Sequence, residues 1–170
     1  MLKFAGFVIL IFILTTLTQT GGLILLCCIP LFRRVDRHVK DDIKRKALKL
    51  SLFIAAYLLA SVTILPLSAR QFGRVPLPVF SNDQLRPLNI FTCVLNRHYV
   101  SPRLLRATES VAEELEKLQP GTVLSYLDAG FPFINGFPLL PHLSHDDGEK
   151  LDIALMYANS LTNDPTPNDA

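Results

Sequence analysis

Cysteine is scarce in this sequence of 170 residues, and three copies are too few for a disulfide framework. Cys27 and Cys28 are adjacent within an apolar run, where we expect them to act as small hydrophobic side chains. Cys93 stands alone in the later part of the chain, and its neighbours do not resemble the surroundings of a nucleophilic thiol. The sequence therefore predicts no cysteine chemistry.

Two long segments lack charged residues, residues 4–32 entirely and residues 48–67 apart from Lys49. At 1.5 Å per residue, a continuous helix over 4–32 would exceed a hydrocarbon core of ~30 Å, so we expect a tilt or a break, most naturally at Gly21-Gly22. No small-x-small cleavage site follows the first segment, which favours a retained span over a signal peptide. The second segment has twenty residues, which suits one crossing. Two transmembrane helices and a membrane anchor over residues 1–69 are predicted, with the lipid bilayer as partner.

Between these segments the sequence is strongly basic, although the net charge of the whole chain is only +2. Lys3 alone precedes the first span, so the positive-inside rule places the loop 33–47 in the cytoplasm and both termini on the other side. We expect the inner (cytoplasmic) membrane of a bacterium, with the part after Arg70 outside the cytoplasm. Attraction to anionic lipid accounts for the basic residues, and no nucleic acid partner is expected. The basic residues between the spans are Arg33, Arg34, Arg37, Lys40, Lys44, Arg45, Lys46 and Lys49.

The remaining residues have the composition of a small soluble domain. The proline-rich residues 70–101 predict an extended connector in which 89–95 could form a short strand. Ser101 as N-cap, Pro102 at the first helical position and an apolar stripe at helical spacing predict a helix that ends before Pro120-Gly121. Strands are expected over 122–127 and 151–157, and a flexible tail over 161–170. The prediction is a membrane-anchored α+β protein whose extracytoplasmic α+β domain covers 102–160.

The run from Pro141 to Asp152 contains the candidate metal-binding and catalytic residues of this sequence. His142 and His145 stand three residues apart, and a carboxylate follows seven residues after His145. Imidazole and carboxylate suit zinc, and Gly148 permits a reversal that would bring His145 and Asp152 together. These two residues are therefore candidate metal ligands. His142 could be a ligand, orient one, or act in catalysis by stabilising an oxyanion.

This run resembles the first metal motif of the zinc peptidases that include murein endopeptidases, D-alanyl-D-alanine carboxypeptidases and lysostaphin-type enzymes. Their shared pattern is a histidine, six residues and an aspartate, and the murein endopeptidase version is the most similar. The resemblance covers about residues 122–157. It implies that His145 and Asp152 bind zinc and that the substrate is a peptide of peptidoglycan. The matching positions are Pro141, His142, Ser144, His145, Gly148 and Asp152.

The sequence departs from that family in having no histidine after His145. The family takes its third ligand and a second catalytic histidine from a later His-x-His strand, so we expect a truncated or inactive member. The predicted function is a membrane-anchored zinc metallopeptidase, or a fragment of one, directed at peptidoglycan peptides. The alternative is a non-enzymatic integral membrane protein with a small extracytoplasmic binding domain, in which a loop with three phenylalanines over 128–138 holds a partner.

Overall fold

A computed structural model gives the architecture of the chain and describes residues 2–154, 156–158 and 165–167. The chain divides into two compact units, Met1–Ser68 and Ala69–Ala170. The first is helical and the second combines helices with short strands, so the predicted α+β class is confirmed. The boundary between the units falls close to the predicted end of the anchor at residue 69.

The first unit consists of helices joined by very short connections. Its elements are α1 (Leu2–Thr18), α2 (Gly21–Cys27), α3 (Ile29–His38), α4 (Asp42–Leu59), a π-helical turn (Ala60–Ile64) and the start of α5 (Leu65–Ala69). The predicted break in the first apolar segment is confirmed, since α1 ends at Thr18 and α2 begins at Gly21. Asp41 caps α4 by accepting a hydrogen bond from the Lys44 amide.

One helix in the described part of the chain is long and apolar enough to cross a membrane. It runs over Asp42–Phe72, from α4 to a 3₁₀ turn (Arg70–Phe72) after α5, and includes the predicted span 48–67. The apolar helix over Phe4–Thr18 is shorter than such a span. The two predicted transmembrane helices are therefore not confirmed, because the reversal after Thr18 divides the first apolar segment.

The second unit is built from paired short strands and two further helices. Its elements are β1 (Val75–Pro76), β2 (Leu85–Pro87), α6 (Ile90–Val94), β3 (Tyr99–Val100), α7 (Pro102–Leu118), β4 (Leu124–Tyr126), β5 (Met156–Ala158) and β6 (Pro165–Pro167). Strands β1 and β3 pair antiparallel, β2 and β4 pair parallel, and β5 and β6 pair antiparallel. Leu85 lies opposite Leu124, so the parallel pair joins two segments separated by α6, β3 and α7.

Helix α7 begins where the sequence predicts. The Ser101 hydroxyl accepts a hydrogen bond from the Leu104 amide, and Pro102 occupies the first turn, where no backbone donor is needed. Thr108 and Ala112 are buried on the inner face. The helix thus covers the core with one side and leaves its glutamates on the other, as expected from its periodicity.

Residues 70–101, predicted as an extended connector, supply much of the core of this unit. They form three short strands (β1, β2 and β3) and helix α6, and their buried leucines pack in the core with later segments of the chain. Complete burial of a leucine contributes about 1.5–3 kcal/mol, which makes this segment part of the domain and not a linker. The core contains Leu77, Leu85, Cys93, Val100, Ala112, Leu124, Tyr126 and Ala129.

Two strand predictions require correction. Residues 89–95 contain helix α6, because the Asn89 side chain accepts a hydrogen bond from the Thr92 amide and caps a helical turn. The expected strand over 151–157 is reduced to a single bridge between Ile153 and Tyr126, followed by β5. Leu155 lies outside the described residues, as does the predicted tail 161–170 apart from 165–167.

Candidate metal centre

Asp152 is held by backbone pairing with the end of strand β4. The Leu127 amide donates to the Asp152 carbonyl, and the Asp152 amide donates to the Asp128 carbonyl, both at 2.8 Å. The Ala154 amide donates to the Ser125 carbonyl at 2.9 Å. These bonds fix the backbone that carries the Asp152 carboxylate, so the position of this group is set by the sheet and not by a free loop.

His145 is buried and has a defined orientation. Its Nδ1 lies 3.0 Å from the Ala129 carbonyl oxygen, which can only accept a hydrogen bond. Nδ1 must therefore carry the proton, and in the neutral ring the lone pair is on Nε2. Nε2 faces Asp152 Oδ1 at 3.2 Å. A histidine that binds a metal through one nitrogen commonly donates from the other to a carbonyl or carboxylate, as His145 does here.

His142 reaches the same point as the two predicted ligands. Its Nδ1 lies 3.3 Å from Asp152 Oδ2, and one nitrogen or oxygen from each of His142, His145 and Asp152 lies within 4.8 Å of the other two. The His145 amide donates to the His142 carbonyl at 3.0 Å, which closes the turn between the histidines. The structure brings together the two predicted ligands, His145 and Asp152, and also His142, for which the sequence left the role of a ligand open.

This set of donors fits zinc. Ligands about 2.1 Å from a tetrahedral zinc ion are separated by about 3.4 Å, close to the two contacts of 3.2 and 3.3 Å that Asp152 makes. The two contacts are made by different oxygens of the Asp152 carboxylate, and one potential ligand atom from each of the three residues lies within 4.8 Å of the other two. When the His145 ring is neutral, the lone pair on its Nε2 faces the Asp152 Oδ1 atom. Two acceptor atoms at this distance require a metal ion or a proton between them.

A partly buried ion pair flanks the centre. Arg97 Nη2 lies 2.6 Å from Asp128 Oδ2, and the same oxygen lies 4.0 Å from His142 Nε2. Burial raises the pKa of the Asp128 carboxyl, whereas the Arg97 guanidinium opposes that rise. Neither residue is predicted from the sequence, although an aspartate directly after a strand was an available signal for Asp128.

An open cleft of about 280 Å³ exposes the candidate ligands to solvent. His142 and Asp152 lie on one side, beside the Arg97–Asp128 pair, and the remaining lining is mainly apolar. Such a surface offers both hydrogen-bonding and apolar contacts to an extended ligand. The cleft is lined by Asn89, Phe91, Thr92, Leu95, Arg97, Leu127, Asp128, His142 and Asp152.

A buried arginine, Arg74, supports the loop that carries the histidines. Arg74 is only 3% exposed, and its Nη2 donates to the Asn135 side chain and to the Asp146 carbonyl. Its guanidinium packs against Gly148, where a Cβ would lie 2.9 Å from Nε and nearer still to the rest of the group. Burial lowers the pKa of Arg74, and the carboxylates of Asp147 and Glu149 oppose this effect. Arg74 therefore holds the loop between His145 and Asp152 in place.

The other histidine of this unit is not part of the centre. His98 is buried, its Nδ1 has no hydrogen-bond partner among the described residues, and burial lowers its pKa to about 4. It packs against the Tyr99 ring at 4.7 Å between ring centroids. The phenylalanines of the 128–138 loop also pack within the protein, since Phe131 contacts Phe137 and Phe133 contacts Phe72.

Comparisons with known protein families, with curated proteins and with solved structures find no match for this chain. The resemblance to zinc peptidases therefore stays a prediction from one motif.

Proposed function

We propose that this chain is an integral membrane protein of the bacterial cytoplasmic membrane whose second unit binds zinc and acts as a metallopeptidase on peptidoglycan peptides. The observation that carries the proposal is the convergence of His142, His145 and Asp152 at the edge of an open cleft. Three protein ligands and an open position are the arrangement of a catalytic zinc site.

The residues around the cleft would have separate roles in catalysis. Bound zinc would polarise a peptide carbonyl and lower the pKa of a bound water. The Ala129 carbonyl holds the His145 ring in the ligating tautomer, and strand pairing holds Asp152. Asn89 and Arg97 offer hydrogen-bond donors along the cleft, while Asp128 is the nearest further carboxylate to His142.

Charge and length support the proposed location. The helix over Asp42–Phe72 provides the crossing, and the basic loop 33–47 before and at its start favours the cytoplasm under the positive-inside rule. The second unit would then lie on the side where peptidoglycan is found. Membrane attachment would keep the cleft at the inner surface of the cell wall.

The metal content of the purified full-length chain in detergent tests the proposal. We expect one zinc per chain in the unmodified protein and its loss in a His145→Ala/Asp152→Ala variant, because two of three ligands are removed. A His38→Ala/Asp83→Ala variant is the matched control, since it removes the same residue types at exposed positions outside the cluster. Equal zinc content in both variants would refute the metal site.

Activity is tested separately on isolated peptidoglycan. Release of peptide fragments, measured by mass spectrometry, should require the metal and stop in the His145→Ala/Asp152→Ala variant. Zinc binding without any release would favour the alternative of a non-enzymatic membrane protein with a small binding domain. A specific feature favours that alternative: a second groove beside Asn89 carries the strongly exposed Phe80 and could hold a partner.

A further inference from the structure

We propose that residues 4–32 do not cross the membrane but form a re-entrant helical hairpin, which enters and leaves the bilayer on the cytoplasmic side. The N-terminus then shares that side with the basic loop 33–47, in contrast to the expectation that both termini lie outside. This inference rests on the proposed membrane location but is independent of the metal centre.

The chain reverses direction between α1 and α2. A Cβ on Gly22 would lie 2.7 Å from the Ile11 carbonyl oxygen and 3.0 Å from Ile11 Cγ2. In one continuous helix, eleven residues would separate these positions by about 16 Å along the axis. Gln19, with a φ of 62°, adopts the left-handed conformation at the turn. Helices α1 and α2 are therefore antiparallel, with glycine at their closest approach.

The packing of the first unit also involves α3 and α4. Helix α2 packs against both α1 and α4, and α3 packs against α4. One apolar groove brings side chains of all four helices together, which fixes their relative level within the first unit. It is lined by Leu10, Leu14, Leu25, Phe32, Lys49, Leu50 and Phe53.

The two arms of this hairpin have matched lengths. Fourteen residues separate Thr18 from Phe4 and fourteen separate Gly21 from Val35, or about 21 Å along each arm. The start of α1 and the basic end of α3 are thus the same number of residues away from the turn. In a hairpin, the sequence position of Lys3 puts its charge on the same side of the membrane as the other basic residues, as the positive-inside rule favours for the cytoplasmic side.

The returning arm is too short for a crossing. Only twelve residues lie between the turn and Arg33, which gives about 18 Å of apolar helix against a hydrocarbon core of ~30 Å. With the Arg33 charge at the cytoplasmic surface, the turn over 18–20 stops within the bilayer. A single crossing by a continuous helix over 4–32 is excluded by the reversal.

The turn has the properties that backbone at this depth requires. Irregular backbone is tolerated in a membrane only where protein covers it. Thr18, Gln19 and Thr20 are all buried within the first unit. The Thr18 hydroxyl donates to the Leu14 carbonyl at 2.7 Å and accepts from the Gly21 amide at 2.8 Å, so it satisfies a polar group at the end of each helix.

Protease protection of short peptide tags on the full-length chain tests the topology. Tags are placed at the N-terminus, between α3 and α4, and at the C-terminus, and protease is added outside intact spheroplasts. We expect the first two tags to be protected and the third to be digested. An N-terminal tag on the side opposite to the tag between α3 and α4 would overturn the hairpin. Protection of the C-terminal tag would instead refute the proposed location of the second unit.

The depth of the turn is tested by labelling with a membrane-impermeant thiol reagent from outside. Leu17 is 45% exposed on α1 beside the turn, and Phe80 is 88% exposed in the second unit. We expect Leu17→Cys to remain at the background of the unmodified chain and Phe80→Cys to be labelled. Labelling of both variants would show that the turn reaches the outer surface and would overturn the re-entrant depth.

A glycine pair tests the close approach of the helices. Gly22→Leu should lose the uniform protection of the N-terminal tag, because the side chain would collide with the Ile11 region of α1. Gly6→Leu is the matched control, since no atom lies within 4 Å of a Cβ at that position. Equal protection in the two variants would contradict the antiparallel packing.

Discussion

Substitution of Gly148 by alanine probes how the candidate metal loop is held. A methyl group at this position would overlap the Arg74 guanidinium, which is buried and bonded to Asn135 and to the Asp146 carbonyl. Gly148 also has a φ of 72°, which side chains other than that of glycine rarely adopt. The substitution therefore imposes both a conformational cost and the displacement of a buried cation.

The two costs can be separated with Gly136. Gly136 has a φ of 75° but no atom within 4 Å of a Cβ, so Gly136→Ala should lower the free energy of unfolding by about 1 kcal/mol from backbone conformation alone. Gly148→Ala has the same cost in backbone conformation and also breaks a charge-assisted hydrogen bond of Arg74, for which about 1.5–3 kcal/mol is typical. We expect Gly148→Ala to destabilise the unit by about 3 kcal/mol in total.

Thermal unfolding of the full-length chain in detergent, followed by the near-ultraviolet circular dichroism of tyrosine, measures the difference. The Gly148→Ala substitution is also made in an Arg74→Ala background, which gives a double-mutant cycle. Removal of the guanidinium leaves room for the methyl group. In that background, Gly148→Ala should cost no more than Gly136→Ala does in the unmodified chain. Zinc affinity should fall on the order of tenfold in Gly148→Ala, since the loop that orients His145 is disturbed.

Either of two results would refute this reasoning. Equal destabilisation by Gly148→Ala and Gly136→Ala would mean that Arg74 does not fill the space beside Gly148. A cost of Gly148→Ala that persists in the Arg74→Ala background would mean that the strain arises elsewhere in the loop.

Two further predictions concern pH and helix capping. Burial lowers the pKa of His98 to about 4, below about 6.5 in an unfolded chain, so the unfolded state binds the proton more readily. The resulting stabilisation of about 3 kcal/mol is complete above about pH 6.5 and is lost as pH falls toward 4. A His98→Phe variant should therefore show a shallower fall in Tm between pH 7 and pH 5 than the unmodified chain, and an unchanged slope would contradict this account. Ser101→Ala should reduce the free energy of unfolding by about 1 kcal/mol, because the Leu104 amide loses its hydrogen-bond acceptor. Ser81→Ala, at an exposed bend, is the control and should have little effect. Equal Tm values for the two serine variants would argue against the cap.

The features that the sequence predicts well are those encoded by neighbouring residues. The start of α7 follows from Ser101 and Pro102, and the break before α2 follows from two adjacent glycines. The approach of His145 to Asp152 follows from the short segment that contains Gly148. In each case the determining interaction spans about seven residues or fewer.

The features that it does not predict depend on distant partners. Leu85 is buried because β2 pairs with β4, whose residues lie 39 positions later in the register. Arg74 follows the end of an apolar helix and resembles an ordinary flanking charge, yet its partner Asn135 is 61 residues away. The contact of His142 with Asp152 at the candidate metal centre also depends on distant residues, because backbone pairing with Leu127 and Asp128 places Asp152. Local composition contains no signal for these contacts.

The buried turn over 18–20 has a consequence for the biosynthesis of the protein. Helices α1 and α2 leave the ribosome before α4, against which α2 packs in the finished structure. Until α4 arrives, α2 lacks one of its packing partners, and the polar groups of the turn before it would be costly to hold in hydrocarbon. The hairpin is therefore expected to remain at the membrane surface during translation and to insert only after α4 has been inserted. The later helix would act as an assembly template for the earlier ones, so truncation before Asp42 should leave the N-terminal segment peripheral to the membrane.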